Sequence, residues 1–241
     1  MKLILSGGGI GDKCHESYKL FSKLVKNKKV LFVPFANDEM SYQEALEWFK
    51  GEINGFGIKQ VDMIESPNDL TLEKLNSYGG VYVSGGNTFK LLSELKQSNA
   101  FINLMKFCET ECVIMGASAG ATLFGKSIDT CLRNELKIIA SDSNYIELKE
   151  TDGLNKAFGF SLFVHYRVKE SQYDATEIRV NQLLRDGHDL ICIPEESSVF
   201  INDDVIKVIG DMPVEVITQN YRKSFSSNCK VDVLSFAKES E

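Results

Sequence analysis

Apolar residues fall along this chain in short unbroken runs, separated by longer stretches with helical spacing. Leu3-Ile4-Leu5, Val30-Leu31-Phe32-Val33, Val81-Tyr82-Val83, Val113-Ile114-Met115 and Leu190-Ile191-Cys192-Ile193 carry no polar residue. Strands covered on both faces read this way, whereas half-exposed strands alternate. With "IKQVDMI", the runs predict strands over 2–7, 29–36, 58–64, 80–86, 112–116 and 190–195, and a further one over 158–164. Between them the spacing predicts helices over 14–27, 41–53, 71–78, 87–98, 100–110 and 173–187, and a helix opening at 118. Thr71 and Asn87 stand where N-caps belong.

Strand and helix in alternation predict an α/β fold, a mostly parallel sheet flanked by helices on both faces. Residues 198–217 and 229–236 predict an antiparallel, β-rich C-terminal edge. There is no repeat, low-complexity tract or linker, and prolines number only 4, so residues 1–241 are expected to form a single domain. Exposed edge strands in that tail would permit a homo-oligomer.

Charge narrows the partners. With 34 acidic against 27 basic residues the net charge is −7, which argues against nucleic acid or an anionic membrane as the main partner. "MKLILSGGG" is too short an apolar run for a signal peptide, and no stretch reaches the roughly 20 apolar residues of a membrane span. The 6 cysteines form no CxxC pair and several sit in apolar context, as free thiols do in a reducing compartment. A cytoplasmic protein is expected, with no metal and no organic cofactor.

In open α/β sheets ligands bind beyond the carboxyl ends of the strands. That selects "SGGGIGD" (6–12), "SGGNTF" (84–89) and "GASAG" (116–120). The last fits G-x-S-x-G between a buried strand and a helix, the setting of a nucleophile elbow. Glycines flank Ser118 because the turn is tight, and the hydroxyl then projects above the sheet. A serine nucleophile needs a base. Of the 3 histidines, His15 lies in a polar helical segment and His188 in a polar turn, where exposure is expected. His165 instead leaves an apolar run and enters a polar segment, as a positioned base would. The orienting carboxylate has several candidates: Glu195 or Glu196, just past a buried strand and Pro194, and Asp129, close to Ser118 in sequence.

Taken together, "SGGNTFKLL", "GASAGA", "FVHYR" and "IPEE" resemble the peptidase E family of serine peptidases, which includes aspartyl dipeptidases and, more distantly, cyanophycinases. The order Ser, His, Glu also suits that family. The resemblance implies Ser118 as nucleophile, His165 as general base and Glu195 as orienting acid, with Asp129 the alternative acid. It implies the backbone N–H groups of Gly86 and Ala119 as oxyanion donors, with Asn87 beside them in the substrate-binding loop, and a small peptide as substrate. The chain departs from the family in two places. Val164 replaces the proline before the histidine. Thr176 falls where the dipeptidases carry the arginine that reads a substrate aspartate, with Asp174 two residues earlier. Arg167, Lys169 and Arg179 are the nearby basic residues that could substitute. Strict specificity for an N-terminal Asp is therefore not expected. A serine hydrolase of another amide or ester, or a non-catalytic binding protein on the same scaffold, are the competing functions.

Overall fold

The computed structural model describes residues 1–139, 141–203 and 205–231. Its first half is built of strand–helix units. β1 (Lys2–Ser6) passes through a turn at Gly11–Cys14 into α1 (His15–Leu24). β2 (Lys29–Val33) precedes α2 (Tyr42–Glu52), and β3 (Gln60–Met63) precedes the short α3 (Leu72–Asn76). β4 (Gly80–Val83) leads to α4 (Thr88–Lys96) and α5 (Ala100–Phe107), and β5 (Val113–Ala117) to the single turn of α6 (Ala119–Thr122). Polar side chains start the helices. Ser41 and Glu44 form a reciprocal capping box on α2, Thr71 caps α3, and Asn87 caps α4.

These strands lie parallel in the order β1-β5-β4-β2-β3, so their carboxyl ends share one rim. Successive side chains go to opposite faces and both faces are buried. Leu3, Leu31, Val33, Val81, Val83 and Ile114 pack under α3, α4 and α5. Ile4, Val30, Phe32, Tyr82 and Met115 pack under α1 and α2, through Tyr18, Phe21, Ala45 and Phe49. This two-sided burial is why the strands carry no polar residues in sequence.

The second half completes the sheet and adds another. A long connection leads to β6 (Ser161–Phe163), then α7 (Tyr173–Arg185) and β7 (Leu190–Cys192). β8 (Ser197–Asn202) returns to the free edge of β1 and pairs antiparallel, followed by β9 (Val205–Gly210). β10 (Val214–Ile217) and β11 (Arg222–Phe225) form a hairpin, and β12 (Lys230–Val231) pairs with β9. The result is an 8-stranded sheet, β12-β9-β8-β1-β5-β4-β2-β3, and a 4-stranded sheet, β11-β10-β7-β6.

Three features differ from the sequence expectation. The apolar strand at 190–195 does not extend the main sheet, and the C-terminal tail is divided between the two sheets. Burial on both faces fixes a strand's surroundings but not its sheet. Ile191 and Ile193 turn toward the main core, while Leu190 and Cys192 turn under α7 with Val180 and Leu183, so β7 is covered on both sides where it lies. Likewise 198–210 hairpins beside β1, while 214–217 crosses to β7. The expected strand at 158–164 starts later, at Ser161, because Phe158 and Gly159 turn with φ of 55° and 85°. Of the strand expected at 229–236, residues 230–231 are paired and 232–236 lie outside the described residues. Among the described residues no helix is long and apolar enough to cross a membrane.

Candidate active site

β5 lies between β1 and β4, so the loops after these neighbours flank the turn that follows β5. That turn carries Ser118, whose φ of 51° and ψ of −113° are strained for any side-chain-bearing residue. The flanking glycines are explained by contact. A Cβ on Gly116 would lie 2.4 Å from Gly120 O, and a Cβ on Gly120 would lie 2.1 Å from Val83 O. The elbow is thus wedged against β4, and Ser118 N–H is anchored on Ser6 O of β1 at 3.2 Å. α6 is a single turn, shorter than the helix expected from 118, and the Ser118 side chain at its N-cap position makes no cap hydrogen bond.

The partners arrive from the second sheet. His165 follows β6 and Glu195 follows β7, and these strands run parallel, so both residues leave the same edge. The Ser118 hydroxyl and His165 Nε2 are 2.8 Å apart, across 47 residues of sequence. His165 Nδ1 and Glu195 Oε1 are also 2.8 Å apart. Because an ionised carboxylate only accepts, Nδ1 carries the ring proton, and Nε2 of the neutral ring is left to accept from Ser118. The hydrogen bond from His165, helped by one from Lys13, outweighs burial and holds the Glu195 carboxyl down at about 2. The glycine loop after β1 holds the backbone of the histidine: Gly7 O accepts from the His165 main-chain N–H at 2.9 Å.

Lys13 is a component that sequence reading missed. Its ammonium lies 2.8 Å from Glu195 Oε2 and 2.9 Å from Glu196 Oε1, and both hydrogen bonds raise its own affinity for the proton. No local pattern announces a lysine 182 residues from its partner. Glu196 thus meets Lys13 rather than the histidine.

The remaining sequence candidates separate clearly. Gly86 lies in the loop after β4 and Ala119 just after Ser118. Among the described residues neither N–H donates to another protein group. Asn87 lines the same cavity, but its N–H is taken by Ala36 O at 2.8 Å and its side chain caps α4 and donates to Ser143 O at 2.9 Å. Asp129 is brought to a different histidine. Its Oδ2 lies 3.7 Å from His188 Nε2, and His188 Nδ1 lies 3.3 Å from the buried Ser161 hydroxyl. His188 was expected to be exposed; the side chain is only 13% exposed because the turn folds back on β6. Thr176 is buried on α7 and donates to Gln172 O. Arg167 is held by Glu177 and Glu215, and Arg179 by Asp129 O, so neither reaches Ser118.

A cavity of about 620 Å³ opens over Ser118. Its lining includes His165, Gly86 and Asn87, the loop 37–40 after β2, and Arg133, Ser143 and Tyr145 from the long connection. Asp38 and Glu39 are exposed on its rim.

A parallel sheet that presents a strained serine to an imidazole–carboxylate pair defines a hydrolase of the serine-nucleophile class. Comparison with known proteins makes this specific: the profile of peptidase family S51 matches residues 2–209, and the chain belongs to that family. It is a serine-type peptidase, and its substrates are peptides. Peptidase E from Shewanella putrefaciens (strain CN-32) is 27% identical over 220 residues, 88% of each chain. The fold matches a peptidase from an acI-B1 Actinobacterium with a TM-score of 0.71 at 15% identity, covering 96% of both chains. It also matches a peptidase E candidate from Listeria monocytogenes EGD-e with a TM-score of 0.67 at 24% identity, covering 87% of this chain and 98% of that one.

Proposed function

We propose that the protein is an exopeptidase of the dipeptidase type, working through a triad of Ser118, His165 and Glu195. One observation carries the reading: an unbroken hydrogen-bonded line from the Ser118 hydroxyl through both nitrogens of His165 to Glu195, with 2.8 Å at each step. His165 Nε2 takes the hydroxyl proton as Ser118 Oγ attacks the substrate carbonyl carbon. The carbonyl oxygen, now an anion, is met by the N–H groups of Gly86 and Ala119. Glu195 keeps the imidazole in its tautomer and offsets the charge it gains. His165 then delivers the proton to the leaving amine, whose bond to carbon breaks. A water molecule, deprotonated by the same nitrogen, releases the acyl group from Ser118.

The exopeptidase part rests on charge. A short free peptide carries an ammonium and a carboxylate a few ångströms from its scissile bond. The cavity wall holds Asp38 and Glu39 to meet the first and Arg133 to meet the second.

The test is intact-mass labelling with a fluorophosphonate, on the wild type and on Ser118→Ala, His165→Ala and Glu195→Ala. A single adduct mapped to Ser118, absent in the first variant and slowed in the others, is the expected result. A labelling rate unchanged in His165→Ala would overturn the triad. Hydrolysis of free dipeptides but not of their N-acetylated, C-amidated forms would establish the exopeptidase part.

A further inference from the structure

The cavity over Ser118 has a side that the catalytic reading leaves unused. Ile10, Met40 and Trp48 are 63%, 44% and 38% exposed, and all three line it. Trp48 is the only tryptophan in the chain. They come from separate elements, the loop after β1, the loop after β2 and α2, and line the same cavity. Phe32, Ala45 and Tyr82, all buried, belong to the same lining. The Phe49 and Tyr82 rings stack at 3.9 Å, and Phe32 stacks on both at 5.2 and 5.8 Å.

Large apolar side chains left in water beside a nucleophile are costly unless something covers them during function. What could cover them is limited by the rest of the wall. Among the described residues Arg133 is the single arginine or lysine of the lining, and its guanidinium donates to Ser141 O at 3.1 Å. The other charges there are carboxylates, and Asp142 is committed to Thr88 N–H and the Thr88 hydroxyl. With Arg133 matched to the substrate carboxylate in the proposed reading, an acidic side chain would meet Asp38 and Glu39 with no second arginine or lysine in the lining among the described residues. An apolar one would remove the Ile10, Met40 and Trp48 surfaces from water.

We infer that this wall is the side-chain subsite of the peptidase, and that it selects short peptides bearing a bulky apolar or aromatic residue beside the scissile bond. The inference rests on the proposed exopeptidase reading.

The experiment measures kcat/KM for Phe-Ala, Ala-Phe, Asp-Ala, Lys-Ala and Ala-Ala with the wild type and with Trp48→Ala, alongside fluorophosphonate labelling of both proteins. Phe-Ala or Ala-Phe is expected to lead Asp-Ala and Lys-Ala by on the order of 100-fold, the scale on which an apolar pocket discriminates. Trp48→Ala is expected to lower the leading value about tenfold through KM, while Ala-Ala changes less than about twofold. Labelling of Ser118 should be the same in both proteins. Asp-Ala or Lys-Ala leading would overturn the inference. So would an equal loss on every substrate in Trp48→Ala, or a change in oligomeric mass with selectivity retained. If Ser118 labels normally and selectivity fails, only the subsite is wrong. If Ser118 does not label and nothing is cleaved, the exopeptidase reading falls with it.

Discussion

Lys13 Nζ stands 2.8 Å from Glu195 Oε2, on the side of the carboxylate away from the histidine. Glu195 therefore has each oxygen tied to a different cation-capable group, Oε1 to His165 and Oε2 to Lys13. The second tie fixes the plane of the carboxylate and keeps Glu196 from repelling it, since Lys13 also holds Glu196 at 2.9 Å. Lys13→Met should lower kcat about tenfold with KM nearly unchanged, because the histidine loses orientation rather than the substrate losing contacts. Lys13→Arg should recover most of the loss. A lysine that only held the fold would change Tm and leave kcat alone. Carboxyl-carbon NMR should show the Glu195 titration moving up from about 2 in Lys13→Met, which reports the lost tie.

Gly8 is where the glycine loop touches the imidazole. Its φ is +99°, and a Cβ there would lie 2.4 Å from His165 Cε1 and 3.1 Å from Ser118 Cβ. Gly8→Ala must displace the ring or the loop. We expect activity to drop by on the order of 100-fold, because a shift of about 1 Å between base and nucleophile has that cost. The global effect should be small, a few degrees in Tm. Steady-state kinetics and thermal denaturation of the same preparation separate the two, and a normal kcat with a large loss of Tm would contradict this account.

The parts of the site set by local chain geometry were readable in sequence. Ser118 was, because an elbow pressed against β4 needs glycine at 116 and 120 whatever the rest of the chain does. The parallel sheet was, because burial on both faces leaves runs such as "VLFV" with no polar residue. His165 and Glu195 were readable as strand-end residues, although the strands that carry them proved to belong to a second sheet, a choice that hydrophobicity does not encode. Lys13, the supporting role of Gly8 and the half-buried environment of His188 were not readable. Each depends on a contact between segments far apart in the chain, and a lysine or histidine in a polar stretch looks the same whether or not such a contact exists.

Of the three acids that the sequence offered, Asp129 is the one that lies beside a different histidine. Its carboxylate lies 3.7 Å from His188, and the serine that completes that group, Ser161, is fully buried at 0% exposure. No substrate can reach a hydroxyl with no surface. Asp129→Asn is expected to leave kcat/KM within about twofold of wild type. Glu195→Gln should cost at least about 100-fold, and Ser118→Ala or His165→Ala on the order of 10⁴-fold. A dipeptidase assay on the four variants decides the matter. Near-normal turnover in Glu195→Gln together with a collapse in Asp129→Asn would reverse the assignment.

The turn that carries His165 is itself held by an ion network, and this makes acid stability predictable. His165 and Arg167 have φ of 50° and 54°, two left-handed residues flanking the buried Tyr166. Glu177 on α7 accepts from Arg222 at 2.7 and 2.9 Å and from Arg167 at 2.7 Å, and Arg222 also donates to the Tyr166 hydroxyl at 2.7 Å. The Arg222 hydrogen bond, followed by that of Arg167, draws the Glu177 carboxyl down to about 2 from its ordinary 4.5. A carboxyl whose folded-state pKa is depressed binds its proton more readily when unfolded. Its contribution to stability is therefore complete above about 4.5 and disappears as the pH falls through about 2. Glu195, held at about 2 by His165, loses its contribution in the same window. Tm should accordingly be level near neutrality and decline steadily from about pH 4.5 downward. Glu177→Gln should start lower at neutral pH and decline less steeply, so that the two curves converge in acid. Parallel curves across the whole range would show that Glu177 adds no net stability, and that packing around Tyr166 alone holds the turn.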